Sequence, residues 1–336
     1  MCTMDVEYLK KNRFIVLPME PNPQEEAFAR DWEKLFERNN VSAVEFLREL
    51  CIELNFPVQA GQSENPALLA ALKSGKLPPD CGDAWVPATA EGIRVYLHQT
   101  PTGRLPVIEC AADADFIHLQ QSLIYRCEPR DIPDARGATI IKNYNNWARV
   151  NLNRTASGEI PKNPALYRDY IALLSHRFYS GVAPEQFGLT EREWRERSLI
   201  LRREHEVAHY MTQRFYHTAQ NEIHDEIIAD FMGLTAAFGA YDPAKFLAFL
   251  GLEKKDTYRP GGRLELYISG NQPAGEGFAA LCEIVRSAAE NIAGQYEKTG
   301  SDRMETFHTL CHTSVADMAR GIFAAGKGQR SDGNEG

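Results

Sequence analysis

The segment Arg203-Glu204-His205-Glu206-Val207-Ala208-His209-Tyr210 sets two histidines four positions apart, with a glutamate directly after the first. Four residues of α-helix return to nearly the same azimuth, so both imidazoles project from one face and can share one cation. Glu206 is rotated by about 100° from His205, which stands it beside such a cation without ligating it. There it can serve as a general base for a water whose pKa a metal has lowered towards ~7. In a chain of 336 residues with nine histidines the pattern arises by chance fewer than roughly 0.03 times. The bland alternative is the polar face of an exposed helix, which does produce such matches.

A third ligand can come from the next segment. The interval from His209 to Glu226 lets one helix end and a second return beside it. That second helix carries Glu222, Glu226 and Asp230 at four-residue steps, among Ile223, Ile227, Phe231 and Met232. Like charges at this spacing cost ~0.2–0.5 kcal/mol per pair on an exposed helix, and buried carboxylates without partners cost more. A divalent cation and its imidazole ligands remove that cost. Two histidines and one carboxylate suit a zinc hydrolase, with one Zn2+ per chain and an open fourth position. They also suit the facial triad of a non-haem iron enzyme, which leaves Glu206 without a task. A third reading is a non-catalytic, metal-stabilised protein that binds peptides or regulates.

These residues need a helical frame. Thr190-Glu191-Arg192-Glu193 has the form of a capping box, so a helix is expected from there to about Tyr216. A second is expected over Asn221–Phe238, and Pro243 begins a third. Two more are expected over Glu276–Lys298 and Asp302–Phe323, parted by Thr299-Gly300. Upstream, Glu25 to Asn55 is helical by period, with Phe28, Trp32, Leu35 and Phe36 at three- and four-residue steps. Ile93, Val95 and Leu97 alternate with Arg94, Tyr96 and His98. A turn at Thr100-Pro101-Thr102-Gly103 and a second apolar stretch, Leu105–Ile108, complete a β-hairpin. Ala138–Tyr144 and Arg149–Leu152 are candidates for two more strands. The fold class is α+β, with a mixed region over 1–160, a mainly helical region over 161–325 and a disordered tail over 326–336. With no clear linker, one integrated domain is slightly preferred over two.

The pair HExxH at 205–209 and Asp225-Glu226-Ile227-Ile228-Ala229-Asp230 resembles the gluzincin arrangement of zinc metallopeptidases, HExxH followed by ExxAD. That likeness covers about residues 200–233. REHExxHY, DEIIADFMG and Tyr258-Arg259-Pro260-Gly261-Gly262-Arg263-Leu264-Glu265 together resemble a bacterial family of uncharacterised function, to about residue 267. The resemblance implies a zincin-like core with an active-site helix pair, and a metallopeptidase activity. It implies Glu226 as third ligand and Asp230 as acceptor for the outer ring nitrogen of a ligating histidine. The interval from His209 is shorter than in thermolysin-like members, so Glu222 stays open as the alternative ligand. Metzincins need glycine at 212 and histidine at 215, where this chain has Thr212 and Phe215, and are excluded.

Gluzincins also need a group to stabilise the oxyanion of the tetrahedral intermediate. Tyr267, Arg263, Tyr210 and His308 are the candidates. Arg259 and Arg263 could clamp a substrate carboxylate, or simply pair with acids. His217 and His224, near the turn between the two metal-site helices, are expected as solvated or capping residues. His308 and His312, with Cys311 between them, lack a glutamate at the catalytic position and are expected to pack near the site.

Composition narrows the partners. With 37 basic against 46 acidic residues and a net charge of −9, a nucleic-acid partner is excluded for want of a basic surface. No apolar run approaches the ~18 residues of a bilayer span, and the first residues lack the pattern of a secretory signal. Seven cysteines without a CxxC pair do not form a disulfide framework. The expectation is a cytoplasmic protein acting on a peptide or amide substrate, with the oligomeric state left open.

Overall fold

A computed structural model describes residues 9, 23–38, 41–133, 136–155, 158–216, 222–255, 257–267 and 275–324. The expected tail from 326 lies outside the described residues. The chain is α+β and forms two compact units. One is residues 19–177, and the other is 178–336 together with 1–18. The sequence puts the change of character near residue 160, whereas the units divide between Arg177 and Phe178.

Residues 19–177 begin with α1 (Pro23–Arg38) and α2 (Ala43–Leu50). Ser42 and Glu45 form a capping box that starts the second helix afresh, so the long helical stretch is broken there. After α3 (Pro66–Ser74) come β1 (Ile93–Thr100) and β2 (Gly103–Cys110), the expected hairpin, paired from Ile93↔Cys110 to Thr100↔Gly103. Then follow α4 (Asp113–Leu123), β3 (Ala138–Asn145), α5 (Trp147–Leu152) and β4 (Arg168–Ser175). The sheet order is β1-β2-β4-β3, with β4 parallel to β2 and antiparallel to β3.

Two expectations change here. Arg149–Leu152 is helix, not strand, because the Asn146 side chain accepts from the Arg149 N–H and caps it as a helix start. β4 falls where helix was expected. Ile171, Ala172, Leu173 and Leu174 are all buried, and an apolar run buried on both faces has no alternation to separate strand from helix. Trp32, Leu47, Phe116, Ile108 and Leu173 lie in the core of this unit.

In the second unit a short 3-10 turn, Tyr179–Gly181, precedes α6 (Glu191–Tyr216) and α7 (Glu222–Phe238). The Thr190/Glu193 capping box is formed, with Thr190 N–H donating to the Glu193 carboxylate at 2.9 Å and Glu193 N–H to Thr190 Oγ1 at 3.3 Å. α7 buries Ile223, Ile227, Ile228, Phe231 and Leu234, an apolar girdle too wide for a surface helix. It lies close against α6. A Cβ on Gly233 would sit 2.7 Å from the Leu201 carbonyl oxygen, so only glycine permits this approach. α8 (Pro243–Leu250), α9 (Glu276–Lys298), α10 (Arg303–Cys311) and α11 (Val315–Ala319) follow. The helix expected over 302–323 is thus two helices. Ser314 accepts from the Asp317 N–H and opens the second one. No helix among the described residues is long and apolar enough to cross a membrane.

Candidate metal centre

His205 and His209 stand one turn apart on α6, and Glu226 stands on α7. The two Nε2 atoms are 3.1 Å apart. Glu226 reaches both, with Oε2 3.4 Å from His205 Nε2 and Oε1 3.4 Å from His209 Nε2. Tetrahedral zinc with bonds of ~2.0–2.1 Å holds its ligand atoms about 3.3 Å from one another. The three residues therefore fit such an ion in atom type and in spacing. They form one group whose ligand atoms all lie within 4.8 Å of each other.

The electrostatics favour a cation. Desolvation by itself would raise the half-buried Glu226, yet His205, His209 and Arg263 hold it well below the ordinary range. Burial alone would lower His209. The hydrogen bond and charge of Glu226, with Glu206 and Asp225 behind it, outweigh that and push it up to about 9. Where no metal sits, a proton on an imidazole answers the same negative charge.

Behind His205 lies a buried polar chain. His205 Nδ1 is 2.9 Å from Asp230 Oδ1, the contact expected of Asp230. The Tyr179 hydroxyl is 2.8 Å from the same Nδ1 and donates to Asp230 Oδ1 at 2.5 Å. Arg263 donates through Nη1 to the Tyr179 oxygen at 2.7 Å and through Nη2 to Asp230 Oδ2. Its Nη2 also lies 4.0 Å from Glu226 Oε2. Arg263 is therefore engaged behind the candidate ligands, buried and bound to an aspartate, rather than presented as a substrate clamp. Tyr179 is absent from the sequence reading. It sits in a short turn upstream of α6, at a distance along the chain that no helical or strand period marks.

The other candidates are distributed as follows. Glu206 is half-buried beside the ligands, and its charge is felt by His209. Tyr267 closes a 3-10 turn, Arg263–Tyr267. Burial and its hydrogen bond to Glu226 raise the phenol well above its ordinary value. Tyr210 is buried with the Arg214 guanidinium 5.9 Å over its ring. His308 belongs to an aromatic cluster instead, with Nδ1 2.5 Å from the Tyr216 hydroxyl and Phe215 and Phe307 against its ring. Arg259 pairs with Glu253 at 2.7 Å. Glu222 starts α7, but its side chain lies outside the described residues, as does His217. His224 is not solvated. It is fully buried, burial pushes it down to about 4, and its Nε2 meets the Leu310 carbonyl at 2.9 Å.

Residues 5–321 match the model of a family described as a family of unknown function, DUF7005. The match spans most of the chain, and the chain belongs to that family. No curated protein and no solved structure matches it.

Proposed function

We propose that this DUF7005 member is a zinc-dependent hydrolase of gluzincin type, cleaving a peptide or another amide. His205, His209 and Glu226 hold the ion, and Glu206 is the general base. The observation that carries this reading is the convergence of two imidazole nitrogens 3.1 Å apart with one carboxylate, each of whose oxygens lies 3.4 Å from one of them. Bound zinc supplies a Lewis acid that polarises the scissile carbonyl and acidifies water. Glu206 takes the proton from the attacking water as its oxygen bonds to the carbonyl carbon. The same carboxyl returns that proton to the nitrogen as the C–N bond breaks. Tyr267, held at Glu226 by its phenol, is the candidate to donate to the developing oxyanion.

The six described cysteines are free thiols, which supports a reducing compartment such as the cytoplasm.

Metal analysis of the purified protein should find about one zinc per chain. Glu206→Gln should keep that zinc and lower turnover of a peptide library by ~10²–10⁴-fold. Undiminished turnover in the variant would reject the mechanism. Iron in place of zinc would favour the facial-triad alternative.

A further inference from the structure

Resting on that reading, we infer that Tyr179 and Arg263 are positioning residues that fix His205 in the tautomer able to bind a metal. The argument is an accounting of protons. Arg263 can only donate, and it spends Nη1 on the Tyr179 oxygen and Nη2 on Asp230 Oδ2. An ionised Asp230 can only accept. The 2.5 Å contact between the Tyr179 hydroxyl and Asp230 Oδ1 joins two oxygens, so a hydrogen must lie between them, and the tyrosine supplies it. That hydrogen is then not available to His205. The neighbours of His205 Nδ1, at 2.8 and 2.9 Å, are the Tyr179 oxygen and Asp230 Oδ1. Both present lone pairs to it, so Nδ1 must carry a proton. In the neutral ring Nε2 is then bare, and it is Nε2 that faces Glu226 and the other imidazole.

Asp230 alone could hold the ring, but less exclusively. A fully buried carboxylate facing an imidazole can be met by a ring in either orientation unless other groups occupy its remaining lone pairs. Arg263 and Tyr179 occupy them. Arg263 also pairs the charge of a carboxylate that has no access to water, which an unpartnered aspartate could not sustain. The Tyr179 ring is itself fixed, edge-on to Phe249 at 4.8 Å and with the Arg263 guanidinium 5.0 Å from its centroid. Removing its hydroxyl should therefore leave the packing in place.

The test uses the full chain and two readouts. Long-range 1H–15N spectra of the zinc-free protein should show His205 protonated at Nδ1. Chelator competition should then show zinc affinity falling by ~10–100-fold in Tyr179→Phe, with the zinc-free melting temperature little changed. Arg263→Lys keeps the charge but cannot span both partners, and should lose affinity in the same range. It serves as the second variant should Tyr179→Phe not fold. A bare Nδ1 on His205 in the wild-type protein would overturn the inference, and so would wild-type zinc affinity in the variants. The tautomer is read without metal, so a chain that binds no zinc would refute the hydrolase reading while leaving this one to be decided.

Discussion

Each compact unit buries a cluster of charge, and the two clusters are wired differently. In residues 19–177 the centre is Arg149, fully buried, with its ring of acceptors. Nε meets Asp31 Oδ2 at 3.3 Å, Nη1 meets Asp169 Oδ1, and Nη2 meets the Ala165 carbonyl at 3.3 Å. Asp169 Oδ2 in turn accepts from Trp32 Nε1 at 2.9 Å and Asn146 Nδ2 at 2.7 Å. Asp31 Oδ2 accepts also from Asn153 at 2.8 Å. Donors point at acceptors throughout, and this network joins α1, α5 and β4. The cluster on α6 and α7 is wired that way only on the side of Asp230. On its other side two imidazole nitrogens and a carboxylate face one another, with only a proton or a cation to keep their lone pairs apart. A closed network of buried charge is a structural device. One that leaves lone pairs converging has room for a cation.

The sharpest way to break this comparison is to open the closed network. Arg149→Met leaves Asp31 and Asp169 buried without their cation, and should lower unfolding free energy by about 3–5 kcal/mol. Because nothing in that cluster awaits a metal, the loss in a urea titration should be equal with and without zinc. A loss that zinc reverses would show that the two clusters are not independent in kind.

How much of this contrast was legible in the sequence depends on whether a period carried it. His205 and His209 were readable because helix geometry converts spacing into a shared face, and Glu226 and Asp230 because the same geometry lines up an acidic stripe to which the gluzincin resemblance gave roles. The hairpin at 93–110 was readable from alternation. Tyr179 and Arg149 were not, because each reaches its partners across tertiary contacts that leave no mark on the local pattern. Arg263 was readable as a candidate for pairing with an acid, but not which acid it meets. A charge in a Gly-Gly-Arg loop looks available until the buried aspartate it serves is located. α5 was misjudged because Asn146, just ahead of the segment expected as a strand, is a helix cap.

Glu53 offers an intermediate case that sharpens the comparison. It is buried in the first unit with the Tyr144 hydroxyl donating to it at 2.8 Å, and it has no arginine of its own at hydrogen-bond distance among the described residues. Burial pushes it up from 4.5 to about 7, against the smaller effects of that hydrogen bond and of Arg126. The sign follows. Below the lower value both states hold the proton. Between 4.5 and about 7 the unfolded chain releases it while the folded chain keeps it, so stability falls as pH rises through that window and is level above it. Glu53→Gln removes the titration. Relative to wild type, the variant should gain on the order of 2–3 kcal/mol between pH 5 and pH 8, measured as the change in its urea-unfolding difference. A pH-independent difference would show that the folded and unfolded chains hold the Glu53 proton alike.

The smallest expected effect tests what makes the open cluster converge. Glu226 faces the imidazoles only because α7 lies close against α6, and Gly233 is where that approach is tightest. An added methyl would meet the Leu201 carbonyl oxygen at 2.7 Å and Leu201 Cδ2 at 3.0 Å. The backbone oxygen cannot rotate away, so the helices must part by several tenths of an ångström. Gly233→Ala should cost about 1–3 kcal/mol as overpacking, less roughly 0.5–1 kcal/mol regained from helix propensity. Because the same displacement carries Glu226 away from both Nε2 atoms, zinc affinity should fall with stability, by roughly 3–10-fold on the scale of other supporting changes at metal sites. Stability lost with affinity intact would mean that the carboxylate is placed by Tyr267 and Arg263 rather than by the packing of the two helices.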